Sequence, residues 1–145
     1  MSSTLRLRRR RDTASSSKKF RIEMGKLLVK VRLEGRRFSV FEDALIDTGA
    51  SFTVIPPAMA DFLELEVNRD LPKAMLVTAS GLIEAPVKTI EKLEVAGIEI
   101  EKVPAVIHKI PDPAPIKVLL GMNLIEKIKL IIDGKQESFR IEDPQ

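Results

Sequence analysis

The chain has no cysteine, which removes disulfides, thiolate metal sites and cysteine nucleophiles, and fits a reducing, cytoplasmic setting. Tryptophan and tyrosine are also missing, and aromatic residues make up only 4%. That is thin material for the stacking platforms that hold single-stranded nucleic acid. One histidine, His108, stands alone; with no second histidine and no cysteine, it is expected to be structural rather than a metal ligand or general base. No metal or cofactor is expected. No window approaches the roughly 18 uncharged apolar residues of a membrane-crossing helix. The early arginines are followed by no apolar segment, so no secretory signal is expected.

What is present is unevenly charged. Residues 1–21 hold eight Lys/Arg against Asp12 alone, a net of +7, and the other 124 residues hold 16 basic and 20 acidic groups, a net of −4. The basic character therefore belongs to a tail and not to the body of the chain. Residues 1–19 are polar and basic with almost nothing apolar, so they are expected to be disordered. Residues 20–145 are expected to form one domain, long enough to bury a core. The run Arg8–Arg11 suits a weak contact with nucleic acid or another acidic partner, or a simple solvated tail.

The body predicts short strands separated by turns. An apolar-rich run from Phe20 to Leu33 ends at Gly35, and a second from Phe38 to Ile46 follows, which suggests a hairpin. Pro56 and Pro57 stop the next strand, and Ala58, Met59, Phe62 and Leu63 fall at helical spacing. Residues 74–78 and 82–87 flank the small residues Ala79, Ser80 and Gly81, a hairpin with a slim tip. Residues 93–95 and 98–100 alternate about Ala96-Gly97, and Val103 to Ile107 extends the sheet. Pro111, Pro113 and Pro115 predict a stiff surface loop. A strand at 116–120, a break at Gly121, a helix over 122–128 and a hairpin at 130–141 complete the chain.

The centre of this plan is the stretch from Ala44 to Ile55. An apolar strand runs into Asp47, breaks at Thr48-Gly49 and resumes as an apolar strand. A carboxylate at the buried end of a strand is costly unless it is paired or used. The glycine that follows lets the backbone turn and approach it. Strand, glycine break and short helix recur at 44–64 and 116–128, a pseudo-twofold repeat in a mostly β domain.

Asp-Thr-Gly alone is a weak signal, expected by chance in on the order of one chain in ten or twenty; its context is stronger. Ala44-Leu45-Ile46-Asp47-Thr48-Gly49-Ala50-Ser51-Phe52-Thr53-Val54-Ile55 resembles the active-site segment of retropepsin-like aspartic proteases. Val118-Leu119-Leu120-Gly121-Met122-Asn123-Leu124-Ile125 resembles their second signature, an apolar strand followed by Gly-x-Asp/Asn and a helix. The resemblance covers roughly residues 20–142 and is nearer the cellular DNA-damage-inducible-type domains than the viral enzymes. It implies a closed β-barrel or sandwich of hairpins with one or two short helices, and peptide-bond hydrolysis without metal or covalent intermediate.

The mechanism needs two carboxylates and the chain supplies one Asp-Thr-Gly, so the resemblance implies a homodimer with Asp47 of each subunit on a twofold axis. Thr48 would lock the two loops together across that axis, and Gly49 would admit the backbone to the carboxylate. Ala50 lines the active-site loop and puts no hydroxyl beside the pair, which is expected to keep its shared proton to weakly acidic or near-neutral pH. Ala79, Ser80, Gly81 and Leu82 would form the tip of a flap over a peptide or protein substrate. Viral enzymes pair an arginine and an aspartate near the interface where this chain has Met122 and Ser51. The dimer must then be held otherwise, and the closing hairpin around Phe139 and Ile141 is the expected source. A retropepsin-fold module that dimerises or binds peptide with little or no proteolysis is the alternative. A nucleic-acid-binding β domain led by the arginine tail is a third reading.

Overall fold

The computed structural model describes residues 16–110 and 116–144. Arg8–Arg11 and the prolines at 111–115 lie outside that range. The described chain is mostly β, with six of its strands closed into a barrel and two short helices against it.

The first sheet element is β1 (Ser17–Arg21), followed by β2 (Leu28–Glu34) and β3 (Ser39–Ile46). β2 and β3 form the antiparallel hairpin predicted around Gly35, with Leu28 opposite Leu45 and Glu34 opposite Ser39. β1 does not continue into β2 as the apolar run from Phe20 suggested. Met24 and Gly25 both take positive φ, 52° and 75°, in a tight turn closed by mutual backbone bonds between Glu23 and Lys26. Met24 is 98% exposed at its tip, so an apolar residue that reads as strand interior is a turn residue. Among the described residues regular structure starts at Ser17, inside the segment expected to be disordered.

After β3 the chain turns at Asp47, forms β4 (Thr53–Ile55) and enters α1 (Pro57–Phe62). Proline at the first helical position lacks only an N–H that would have been unpaired there, and the helix buries Met59 and Ala60. β5 (Glu66–Val67) and β6 (Lys73–Thr78) then pair with β7 (Gly81–Val95). β7 is one strand of 15 residues, joining segments that Pro86 and the polar residues after it separate in sequence. It returns through Ala96-Gly97 into β8 (Ile98–Ile107), with Val95 opposite Ile98.

β9 (Val118–Leu120) inserts between β3 and β4, parallel to β3 and pairing Leu45 with Leu119. The barrel runs β2-β3-β9-β4-β8-β7 and closes because β7 also pairs with β2, Leu33 opposite Leu93. Closure removes the open edges of those strands. It buries Val31, Leu33, Ala44, Ile90, Leu93, Val118 and Leu120 in one core, with apolar residues alternating most clearly along β2.

α2 (Met122–Ile125) is one turn, shorter than the helix predicted to Ile128. Lys127 and Ile128 bond back three residues instead of four, tightening the chain into β10 (Lys129–Asp133). β11 (Ser138–Glu142) lies between β1 and β10 in a separate three-stranded sheet. Phe139 and Ile141, expected on a dimer surface, are buried in their own chain's core. Phe139 stacks on Phe20 at 5.0 Å.

Candidate active site

Asp47 is delivered by β3 to the point where β9 ends beside it. The Asp47 amide donates to Leu120 O at 2.9 Å, which ties the start of the loop to the second signature segment. Within the loop, the Gly49 amide donates to Asp47 Oδ1 at 2.9 Å and the Ala50 amide donates to Asp47 O at 3.2 Å. A Cβ on residue 49 would lie 3.3 Å from the same Oδ1. Glycine is therefore used here for close approach, and the backbone orients the carboxylate. Asp47 is half-buried, with Thr48 and Gly49 exposed. In a single chain the carboxylate is thus less enclosed than its position after an apolar strand suggested, because the loop sits at the barrel's surface.

The rest of the loop hangs on the other half of the pseudo-repeat. The Met122 amide donates to Ala50 O at 2.7 Å and the Asn123 amide to Ser51 O at 3.1 Å. At Gly121 a Cβ would meet the backbone N, C and O of Phe52. The two segments pack backbone to backbone there, so the break that reads as a turn signal in sequence is a close-contact site.

Two polar residues absent from the predicted site complete this frame. Asn123 Oδ1 accepts from the Thr53 amide at 2.8 Å and from Thr53 Oγ1 at 3.0 Å, while Asn123 Nδ2 donates to Pro104 O at 2.7 Å. Thr53 Oγ1 also accepts from the Gly121 amide at 3.3 Å. Thr53 is fully buried, at 0% exposure, and its polar atoms are satisfied, as burial requires. Asn123 stands in the second signature, but its partner lies 70 residues earlier, a pairing that no local pattern carries.

A cleft of about 350 Å³ opens over the loop, lined by Asp47, Gly49, Ala50, Ser51, Phe52, Val54, Met75, Leu76, Val77 and Leu119. The β6–β7 hairpin therefore overhangs Asp47 through its middle, Met75 to Val77, which sequence reasoning did not single out. The hairpin itself was legible, but not which part of it would face the carboxylate. The predicted tip residues Ala79, Ser80, Gly81 and Leu82 lie at or beside the hairpin's end and do not line the cleft; neither does Thr48. Among the described residues Asp47 is the one carboxylate that lines the cleft. Asp43 pairs with Lys30 at 3.4 Å, Asp61 sits on α1, and Asp133 accepts from the Gln136 amide at 3.1 Å in the β10–β11 turn.

Three comparisons bear on this geometry. A family profile described as "gag-polyprotein putative aspartyl protease" matches residues 29–127, which span both signature segments and the hairpin between them. The fold is similar to the crystal structure of a retropepsin-like aspartic protease from Rickettsia conorii. The TM-score is 0.67 at 20% identity, covering 90% of this chain and 92% of that one. Comparison with curated protein sequences found no match. The chain belongs to the gag-polyprotein-type aspartyl protease family and has a retropepsin-like fold.

Proposed function

We propose that the chain is a homodimeric aspartic endopeptidase that hydrolyses peptide bonds in peptide or protein substrates. The observation that carries this reading is the single carboxylate that the described residues place in the cleft: Asp47 is backbone-oriented, faces a β-hairpin and has no second acid beside it among those residues. Peptide hydrolysis of this type needs an acid and a base together, so the second carboxylate comes from Asp47 of another copy.

Two carboxylates about 3 Å apart repel by roughly 5 kcal/mol at an effective dielectric near 20, so the pair shares one proton. The ionised member removes a proton from a bridging water while the protonated member polarises the scissile carbonyl. Thr48, exposed beside Asp47, meets the partner's loop. The apolar lining from Phe52, Val54, Met75, Leu76, Val77 and Leu119 receives substrate side chains, and the hairpin ending in Ala79, Ser80, Gly81 and Leu82 closes over them.

The surface that supports the dimer is the edge of β10 that no strand covers among the described residues. Across the small sheet Phe20, Phe139 and Ile132 stand opposite one another in register. The row begins in the core at Phe139 and ends at Ile132, 51% exposed, with Ile131 beside it at 40%. An apolar row that runs out to an unpaired edge is suited to continuing the sheet with a second copy. This contact takes the place of the ion pair that Ser51 and Met122 cannot make.

Cleavage of a mixed peptide library by wild type and Asp47→Asn, with sedimentation of both, tests the reading. The expected result is a dimer for each and cleavage by the wild type alone. A wild type that stays monomeric at high concentration, or equal cutting by the two proteins, overturns it. A dimer that cuts nothing would identify a peptide-binding or dimerisation module instead.

A further inference from the structure

The hairpin over Asp47 ends in a two-residue turn, Ala79-Ser80, with Thr78 opposite Gly81. Side-chain burial does little to hold that end in place. Val77 and Leu82 face each other across the strands just below it and are 79% and 66% exposed. The turn is shaped instead by one hydroxyl. Thr78 Oγ1 accepts from the Ser80 amide at 3.2 Å and donates to Gly81 O at 2.8 Å, bridging the turn from one side to the other. Gly81 has φ of +113° and no atom within 4 Å of a Cβ placed on it. Glycine is there for backbone conformation and not for space. Among the described residues the Ala79 amide makes no hydrogen bond.

We infer that Thr78 is a positioning residue for this site: its hydroxyl holds the hairpin tip in the shape that closes over substrate. It also engages the Ser80 amide, leaving the Ala79 amide as the tip's donor to a substrate backbone. This rests on the peptidase reading above and deepens it. Thr78 does not line the cleft, so it acts through the turn and not on the reacting atoms.

The consequence is a division between binding and chemistry. A tip that is ordered before substrate arrives adds no ordering cost to binding, whereas a loose tip is competent only part of the time. Apparent affinity then falls by the fraction competent. Losing an exposed pair of hydroxyl hydrogen bonds changes such a population by about two- to tenfold. Valine has nearly the shape of threonine and the same preference for a strand, so Thr78→Val removes the hydroxyl and little else.

The test compares Thr78→Val and Thr78→Ser with wild type in the full-length protein. It measures KM and kcat on one cleaved library peptide, and the hydrogen-exchange rate of the Ser80 amide without substrate. Thr78→Val is expected to raise KM by about two- to tenfold with kcat unchanged, and to speed Ser80 exchange by a similar factor. Thr78→Ser restores both. The inference is overturned if Thr78→Val leaves KM or Ser80 exchange at the wild-type value, lowers kcat alone, or is not rescued by serine. Should the wild type cut no peptide, the reading of the site falls, and Ser80 exchange alone decides whether Thr78 holds the tip.

Discussion

At Gly121 a methyl group would collide with the backbone of Phe52, atoms that cannot swing away as a flexible side chain would. Gly121→Ala is therefore expected to destabilise by about 1–3 kcal/mol, measured by urea denaturation, and to displace the Asp47 loop enough to lower activity. Asn123 acts on the same loop through polar groups. Asn123→Ala strips the buried Thr53 amide and the Pro104 carbonyl of their partners, and an unsatisfied buried group costs about 1–3 kcal/mol. Thr53→Val removes the hydroxyl from the same network. The two changes share bonds, so the double variant should lose clearly less than the sum of the single losses. Strict additivity in denaturation would show that the two side chains do not act together. Of these residues Asp47 and Gly49 were legible from the triplet and its flanking strands. Thr53 was not, because a threonine in a strand carries no mark of a partner 70 residues away.

β10 and β11 show how differently two strands of one hairpin can be placed. β11 is central in its sheet and β10 is at the edge, so Ile141 is buried while Ile132 is half in solvent. Ile141→Ala should destabilise by about 2–5 kcal/mol, the usual loss for a buried isoleucine. Ile132→Lys should leave the thermal midpoint of the subunit nearly unchanged and shift sedimentation from dimer to monomer, with activity falling in proportion. If Ile132→Lys stays dimeric, the edge of β10 is not the interface. Sequence periodicity located both strands but could not rank them, since Phe139-x-Ile141 and Leu130-Ile131-Ile132 are equally apolar. Sheet order decides which row is covered, and that order depends on β1 arriving from the other end of the chain.

At the scale of the whole molecule, the barrel closes through contacts far apart in sequence, β2 with β7 and β3 with β9, and the N-terminal strand completes the second sheet. Deleting residues 1–15 is expected to leave the thermal midpoint unchanged, because that segment is polar and basic with almost no apolar surface to bury. Deleting through Arg21 removes the Phe20–Phe139 stack and the whole of β1 and should lower the midpoint by several degrees; equal midpoints for the two truncations would show that β1 does not stabilise the domain. The sequence by itself determined the mostly β class, the turns at Gly35 and Ala96-Gly97, the break at Gly121, the repeat of strand, break and helix, and the place of Asp47 at the end of an apolar strand. These are local properties, set by side-chain alternation, proline and glycine geometry, and the cost of a carboxylate after an apolar strand. Tertiary structure alone decided that Met24 lies in a turn, that the middle of the β6–β7 hairpin and not its tip lines the cleft, and that Asn123 braces the loop. It also decided that Ile132, and not Phe139 or Ile141, is left uncovered. Each of these depends on which strands become neighbours, and neighbours in a closed barrel are chosen by the whole chain at once.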